Sequence, residues 1–480
     1  MAQQFSFTLL LLLSIRIASA QTLSPEVRKF VKIDAPLIAL THVRVIDGTG
    51  AAAREDQTLI LSEGKIQSIS RQATTPPGAE VIDLHDHSVL PGLVGMHDHM
   101  FYPAGEGIFH EMAISFPRLY LAGGVTTIRT TGSIEPYTDL ALKGEIDRGV
   151  IAGPHMHVTG PYLEGPGSWA PQMTELTTAQ QAIDTVNFWV DRGVDNFKAY
   201  NFISRQVLGA AIQAAHKRGV KVTGHLCSVG FREAAALGID DLEHGLVVDT
   251  EFFPGKKPDQ CPDLVETTSA LIKMQVSDAP IQQTIGELVA HHVALTSTLP
   301  VFELFVANRA PLEERVLGVM SEEARNQFLE NRVRLALPGR DPKTHQMAER
   351  AWARAFQMDM EFERDFVKAG GLLLAGLDPT GIGGVIPGFG DQREVELLVE
   401  EGFTPLEAIH IATSNGAEYL GEAAKIGTLA AGRAADLVVV KGDPSKDIND
   451  IEKVETVFKD GVGYDSARLI ESVRGLVGIR

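Results

Sequence analysis

The chain is 480 residues long, 44% apolar and 22% charged, enough to bury one large core and a smaller one. Its formal charge is −19 and no basic stripe is visible, which excludes nucleic acid as an expected partner. Cys227 and Cys261 are its 2 cysteines, which excludes a disulfide-dense scaffold and leaves open whether they bridge or pack as thiols.

At the N-terminus, Phe7 to Ile15 is an apolar run followed by Ala18-Ser19-Ala20, an A-x-A cleavage pattern. No Lys or Arg precedes the run, and Arg16 follows it, yet the pattern predicts a signal peptide over residues 1–20 and a secreted or periplasmic protein. The run is too short to cross a bilayer, and nothing later predicts a transmembrane span. From Leu37 to Leu90 short β-like runs alternate with Asp-Gly and Glu-Gly turns, and the same texture returns from Gly427 to Val462. Sheet edges need partners, so residues 36–90 and 423–475 together predict one small β-sandwich, with residues 91–422 inserted between them.

That inserted segment alternates strand and helix patterns. Eight apolar runs have strand length: Leu93–His99, Val125–Gly132, His155–Gly160, Val194–Tyr200, Val220–Leu226, Asp241–Gly245, Val293–Val301 and Leu372–Asp378. Helical periodicity lies between them, at Glu111–Ala122, Ala179–Arg192, Ser204–Arg218 and Gln346–Ala369. The class is α/β, a (β/α)8 TIM-type barrel with insertions. Two insertions, Thr250–Ala279 and Phe302–His345, follow strands and so are placed over the C-terminal face as a substrate lid.

The chemistry collects at the same strand ends. His97 and His99 are two apart in P-G-L-V-G-M-H-D-H-M, so on a strand both imidazoles leave one face. The fourth run reads V-D-N-F-K-A-Y and supplies Lys198; the fifth ends in His225, the sixth in His244, the eighth in Asp378. Singly each of these has an ordinary structural explanation. Converging on one cleft, they have the composition of a metal site. Other histidines are assigned no metal: His85 and His87 fall in a polar turn, His155 and His157 on the third run, and His216, His291, His292 and His410 in or after helices.

In these motifs the chain resembles the amidohydrolase superfamily, the urease-like metal-dependent hydrolases. The nearer likeness is to the imidazolonepropionase-like and Xaa-Pro or Xaa-Arg dipeptidase branch. The resemblance runs from L-P-G-L-V-G-M-H-D-H to G-T-L-A-A-G-R-A-A-D-L-V-V-V. It implies two divalent ions, most simply Zn²⁺: His97, His99 and Asp378 on one, His225 and His244 on the other, and Lys198 bridging both as a carbamate made with CO₂. It also implies a metal-activated hydroxide that attacks an amide or C-terminal peptide bond of a small substrate, with Asp378 as general base. Tyr200, on the same strand face as Lys198, and Tyr162, in the loop after the third run, are candidates to donate to the substrate carbonyl. A homo-oligomer follows from the resemblance alone.

A cyclic-amide hydrolase is the main alternative, because relatives with a bridging carbamate include such enzymes. A mononuclear deaminase fits less well: its H-x-x-E would need a glutamate where His225 is followed by Leu226, Cys227 and Ser228. A non-catalytic binding protein on the same barrel is the remote alternative. Arg129, Arg232 and Arg393 are candidates to receive a substrate carboxylate.

Overall fold

The computed structural model describes residues 23–72, 74–105, 107–337 and 342–479, without the side chains of residues 342–348. The predicted signal peptide therefore lies outside the described residues. All eight strand-length runs form parallel strands: β1 (Leu93–Asp98), β2 (Val125–Thr130), β3 (His155–His157), β4 (Asn196–Ala199), β5 (Lys221–Gly224), β6 (Asp241–Glu243), β7 (Ala294–Ser297) and β8 (Leu373–Ala375). Strands β2, β7 and β8 are dominated by apolar or β-branched residues and, like β1 and β4, are buried along their whole length, the pattern of strands covered on both faces.

Strands β1, β2 and β3 form one sheet, and β4 to β8 follow one another in a second. The two sheets meet at both seams through single contacts rather than full ladders. At one seam Thr159 bridges Asn196. At the other the Asp378 N–H donates to the His97 carbonyl at 3.0 Å. The chain is thus α/β, with its parallel strands in sequence order within each sheet.

Helices pack outside these strands for local reasons. In Arg205–Lys217 the Ser204 hydroxyl caps the Val207 N–H, and Val207, Leu208, Ala211, Ile212 and Ala215 recur on the buried face. Burying Leu208 and Ile212 contributes about 1.5–3 kcal/mol each, so an aspartate at Ile212 would release the helix. Gly219, at φ 72°, turns the chain back toward β5.

Strands from both flanks of this unit share one nine-stranded sheet. Leu437–Lys441 lies between His87–Pro91 and Val454–Lys459, joining the two parts of the chain. By hydrogen bonding the strands of both flanks belong to one continuous sheet, in which Leu37–Val45 pairs Glu80–Asp83 along its first half and His87–Pro91 at its end. His42, at φ 58°, sits where that strand changes partners.

One expected element differs. The predicted helix from Glu111 begins only at Ser115, because Ile108–Glu111 pairs back on Phe101–Gly105 as a hairpin. Phe101 and Phe109 face each other across it, and that contact overrides the helical periodicity downstream. Among the described residues no helix is long and apolar enough to cross a membrane.

Candidate active site

The six residues expected at one cleft are brought together at the C-terminal ends of β1, β4, β5, β6 and β8. Asp378 Oδ2 lies 3.6 Å from His97 Nε2 and 3.9 Å from His244 Nε2, while Oδ1 lies 3.6 Å from His99 Nε2. Lys198 Nζ donates to His97 Nε2 at 3.0 Å. The His225 ring completes the group, with its centroid 4.5 Å from that of His244. Lys198 and the histidines of β1 and β6 are all but inaccessible to solvent.

The far sides of three of the four rings are fixed. His97 Nδ1–H donates to Glu243 Oε2 at 2.6 Å, His99 Nδ1–H donates to the Gly132 carbonyl at 3.1 Å, and His244 Nδ1 is hydrogen-bonded to Thr298 Oγ1 at 2.7 Å. These partners turn the Nε2 atoms of His97, His99 and His244 toward the shared centre, the arrangement that outer hydrogen bonds give metal-binding histidines. Burial, followed by the charge of Lys198, holds His97 and His99 well below the ordinary imidazole range. Burial, followed by His225, does the same to His244, and burial brings His225 down to about 3. Their lone pairs are therefore free of protons.

Burial also pushes Asp378 up to about 6 against the opposing pull of Lys198, and brings Lys198 down to about 8 against the pull of Glu243 and Asp378. His244 Nε2 is buried without a hydrogen-bond partner. In a tetrahedral zinc site, bond lengths of about 2.0–2.1 Å put neighbouring donor atoms roughly 3.3 Å apart, close to the separations found around Asp378. The residues present fit a divalent metal on geometry, on donor type and on that orphaned nitrogen.

Two of the six hold backbone conformations that most side chains avoid: His244 at φ 71° and Asp378 at φ 50°. Each costs of order 1 kcal/mol and is tolerated where surrounding packing dictates it. Gly376 meets a different demand, since a Cβ there would collide with the Cβ and backbone nitrogen of His97.

Beneath the histidines lies a polar layer that sequence reasoning missed. Arg129 Nη2, on β2, donates to Asp241 Oδ2 at 2.8 Å and Glu243 Oε1 at 3.0 Å, and Nε donates to the Met96 carbonyl at 2.8 Å. Thr223 donates to Glu243, and Thr296 donates to Asp241. The sequence signal was present in the i, i+2 spacing of Asp241 and Glu243 just before His244, which puts both carboxylates on one strand face.

The network corrects one expectation: Arg129 is fully buried and cannot receive a substrate carboxylate. The other two arginines are also engaged away from the site, Arg232 with Glu251 at 3.0 Å and Arg393 with Glu303 at 2.8 Å. Tyr200 and Tyr162 do line the cavity over the cluster, their rings 5.1 Å apart. The histidines set aside stay outside it: His85 contacts Asp83, His157 contacts Asp195, and His155 faces Asp436 and Asp460.

The cavity holds about 660 Å³, within the range of pockets that take drug-sized ligands. Both insertions contribute to its wall, Leu264 from the first and Phe302, Phe305 and Phe328 from the second. Behind the wall, a disulfide joins Cys227 to Cys261 and ties the first insertion to the end of β5.

Residues 383–462 match the model of the amidohydrolase family. A dihydroorotase of Pelobacter propionicus is 34% identical over 102 residues, 21% of this chain and 23% of that protein. The chain thus matches only about a quarter of that relative's length. Among solved structures, a candidate prolidase from Bifidobacterium longum is 25% identical, with TM-score 0.64 over 91% of this chain and 98% of its own. A Xaa-Pro dipeptidase with bound methionine in its active site is 19% identical, with TM-score 0.66 over 89% of this chain and 100% of its own, a likeness of fold. The resemblance to amidohydrolases read from the sequence is borne out, by the family model over residues 383–462 and by fold along most of the chain.

Proposed function

We propose that the chain is a metal-dependent amidohydrolase on a (β/α)8-type barrel that hydrolyses an amide or C-terminal peptide bond of a small substrate. The observation that carries this reading is the meeting of four histidine rings, Lys198 and Asp378 at one buried point, with Asp378 within 3.6–3.9 Å of three histidine Nε2 atoms. His97, His99 and Asp378 would hold one divalent ion and His225 and His244 a second, with Zn²⁺ the simplest choice. Ions bound there lower the pKa of a water from about 15.7 towards 7 and polarise a carbonyl oxygen.

Lys198 suits the bridging role because an amine brought down to about 8 is partly neutral near physiological pH. Its lone pair adds to CO₂, an N–C bond forms and a proton leaves, giving a carbamate that can reach both ions. Asp378 takes the proton of the attacking water and passes it to the leaving nitrogen; burial, which pushes its carboxyl up to about 6, equips it for both halves of that transfer. Tyr200 or Tyr162 donates to the scissile carbonyl oxygen. The disulfide suits the export expected from the N-terminal sequence, to a periplasmic or extracellular location.

A cyclic amide is the second reading, favoured by the similarity to dihydroorotases. The deciding experiment combines metal analysis of the native protein with hydrolysis of dipeptides, N-acyl amino acids and lactams by the parent, Lys198→Ala and Asp378→Ala in added Zn²⁺. Bound metal in the parent and activity lost in both variants is expected. A metal-free protein whose variants hydrolyse as well as the parent would sink the proposal.

A further inference from the structure

Two aromatic series lead from the histidine cluster to the mouth of the cavity. In the first, the Phe101 ring stacks on His99 with centroids 4.4 Å apart, Phe109 meets Phe101 at 5.0 Å, and Trp169 meets Phe109 at 5.9 Å. In the second, Phe302 meets His244 at 5.4 Å, Phe305 meets Phe302 at 6.3 Å, and Trp352 stacks on Phe305 at 5.3 Å. All six aromatic residues line the same cavity. They come from four separated parts of the chain: the hairpin after β1, the loop that follows β3, the insertion after β7, and the helix Pro342–Lys368. Trp169, at the outer end, is 50% exposed. What marks a ligand site is the chamber itself, a concave cavity lined by these aromatic rings with the polar groups of the cluster at its floor.

We infer that the site selects an amide bearing a bulky planar aromatic group, seated between these two series, in preference to the small aliphatic amides or dipeptides that the histidine cluster alone would accept. The volume of about 660 Å³ leaves ample room for a fused-ring group beside the scissile bond. Aromatic side chains reward such a group through offset and edge-to-face contacts as well as through buried area. The reaction assigned to this substrate rests on the amidohydrolase reading above, whereas the seating of its aromatic group rests on the cavity wall.

The test uses the Zn²⁺-loaded full chain and three probes: N-acetyl-L-alanine, N-(2-naphthoyl)-L-alanine and N-acetyl-L-(2-naphthyl)alanine. Each is cleaved by one water to a carboxylic acid and an amino acid. At least one naphthyl amide should exceed N-acetyl-L-alanine in kcat/KM by tenfold or more. Trp169→Leu and Trp352→Leu should each remove about two- to tenfold of that advantage, read as the ratio of naphthyl to acetylalanine kcat/KM, with the loss in KM. Equal turnover of all three probes, or variants that slow all three alike, would overturn the inference.

Calorimetric titration with 2-naphthoate and acetate separates this inference from the reaction itself. Naphthoate binding at least tenfold tighter than acetate, and weakened in both tryptophan variants, supports the chamber even if no amide is cleaved, in which case the proposed reaction alone fails. Indistinguishable binding of the two acids in a protein that cleaves no probe overturns the chamber.

Discussion

Replacing Arg129 with methionine tests the layer that holds the histidines in place. The guanidinium is fully buried and neutralises Asp241 and Glu243 through contacts of 2.8 and 3.0 Å. At an effective dielectric constant of about 20, a charge pair at that separation is worth roughly 6 kcal/mol before desolvation is counted. Methionine fills similar space but removes the cation, leaving two buried carboxylates uncompensated. Removing one partner of a buried pair typically costs about 3–5 kcal/mol, the loss expected here in urea unfolding. Asp241→Asn on top of Arg129→Met removes one of the stranded charges and should recover about 1–2 kcal/mol of it. Because Glu243 also holds His97 Nδ1 at 2.6 Å, the single variant should bind Zn²⁺ about 10–100-fold more weakly in a chelator competition. An unfolding free energy within about 1 kcal/mol of the parent, or a double variant weaker than the single one, would refute the reasoning.

Two further outcomes follow from buried groups elsewhere. Glu394 lies in a nest of carboxylates with Asp359, Glu363 and Glu401, and burial pushes it up to about 8. Its pKa is raised on folding, so its share of the stability is complete below the ordinary glutamate value of about 4.5 and is lost as pH rises through about 8. The melting temperature should therefore fall between about pH 5 and 8, and Glu394→Gln, which keeps an acceptor for the Leu299 N–H, should flatten that fall; an unchanged slope would count against it. The Cys227–Cys261 bridge closes a loop with a sequence separation of 34, so its reduction should cost up to about 4 kcal/mol by loop-closure entropy. Titration of the unfolded, unreduced protein should find no free thiol, and finding two would contradict the bridge.

The strands and the histidine cluster were legible in the sequence because each depends on local pattern. Apolar runs of strand length mark β1 to β8, and the C-terminal ends of strands that run parallel point to one face, so His97, Lys198, His225 and Asp378 could be gathered without coordinates. The Arg129 network was not legible in that way. Which charged residues meet inside the strands depends on register between β2, β5, β6 and β7, and nothing in V-T-T-I-R-T announces whether its arginine faces water or the interior. Arg129 fails as a substrate receptor because its guanidinium turns in between the strands, where Asp241 and Glu243 hold it. The hairpin Phe101–Glu111 was hidden for a related reason, its pairing being set by the contact of Phe101 with Phe109 rather than by residue spacing. The aromatic series could not be read at all, because Phe305 and Trp352 are 47 residues apart and meet only through the packing of an insertion on a later helix.

The shared sheet sets an order on how the protein can come into being. His87–Pro91 runs straight into β1, and its neighbour on one side is Leu437–Lys441, made some 350 residues later. Until the ribosome has delivered that strand, the segment leading into His97 and His99 has an unfilled flank. Asp378, too, arrives nearly 280 residues after His99. If the cluster holds metal as proposed, its capture would wait for a nearly finished chain, and a protease cut between Gly432 and Leu437 would loosen the very strand that carries the first two histidines.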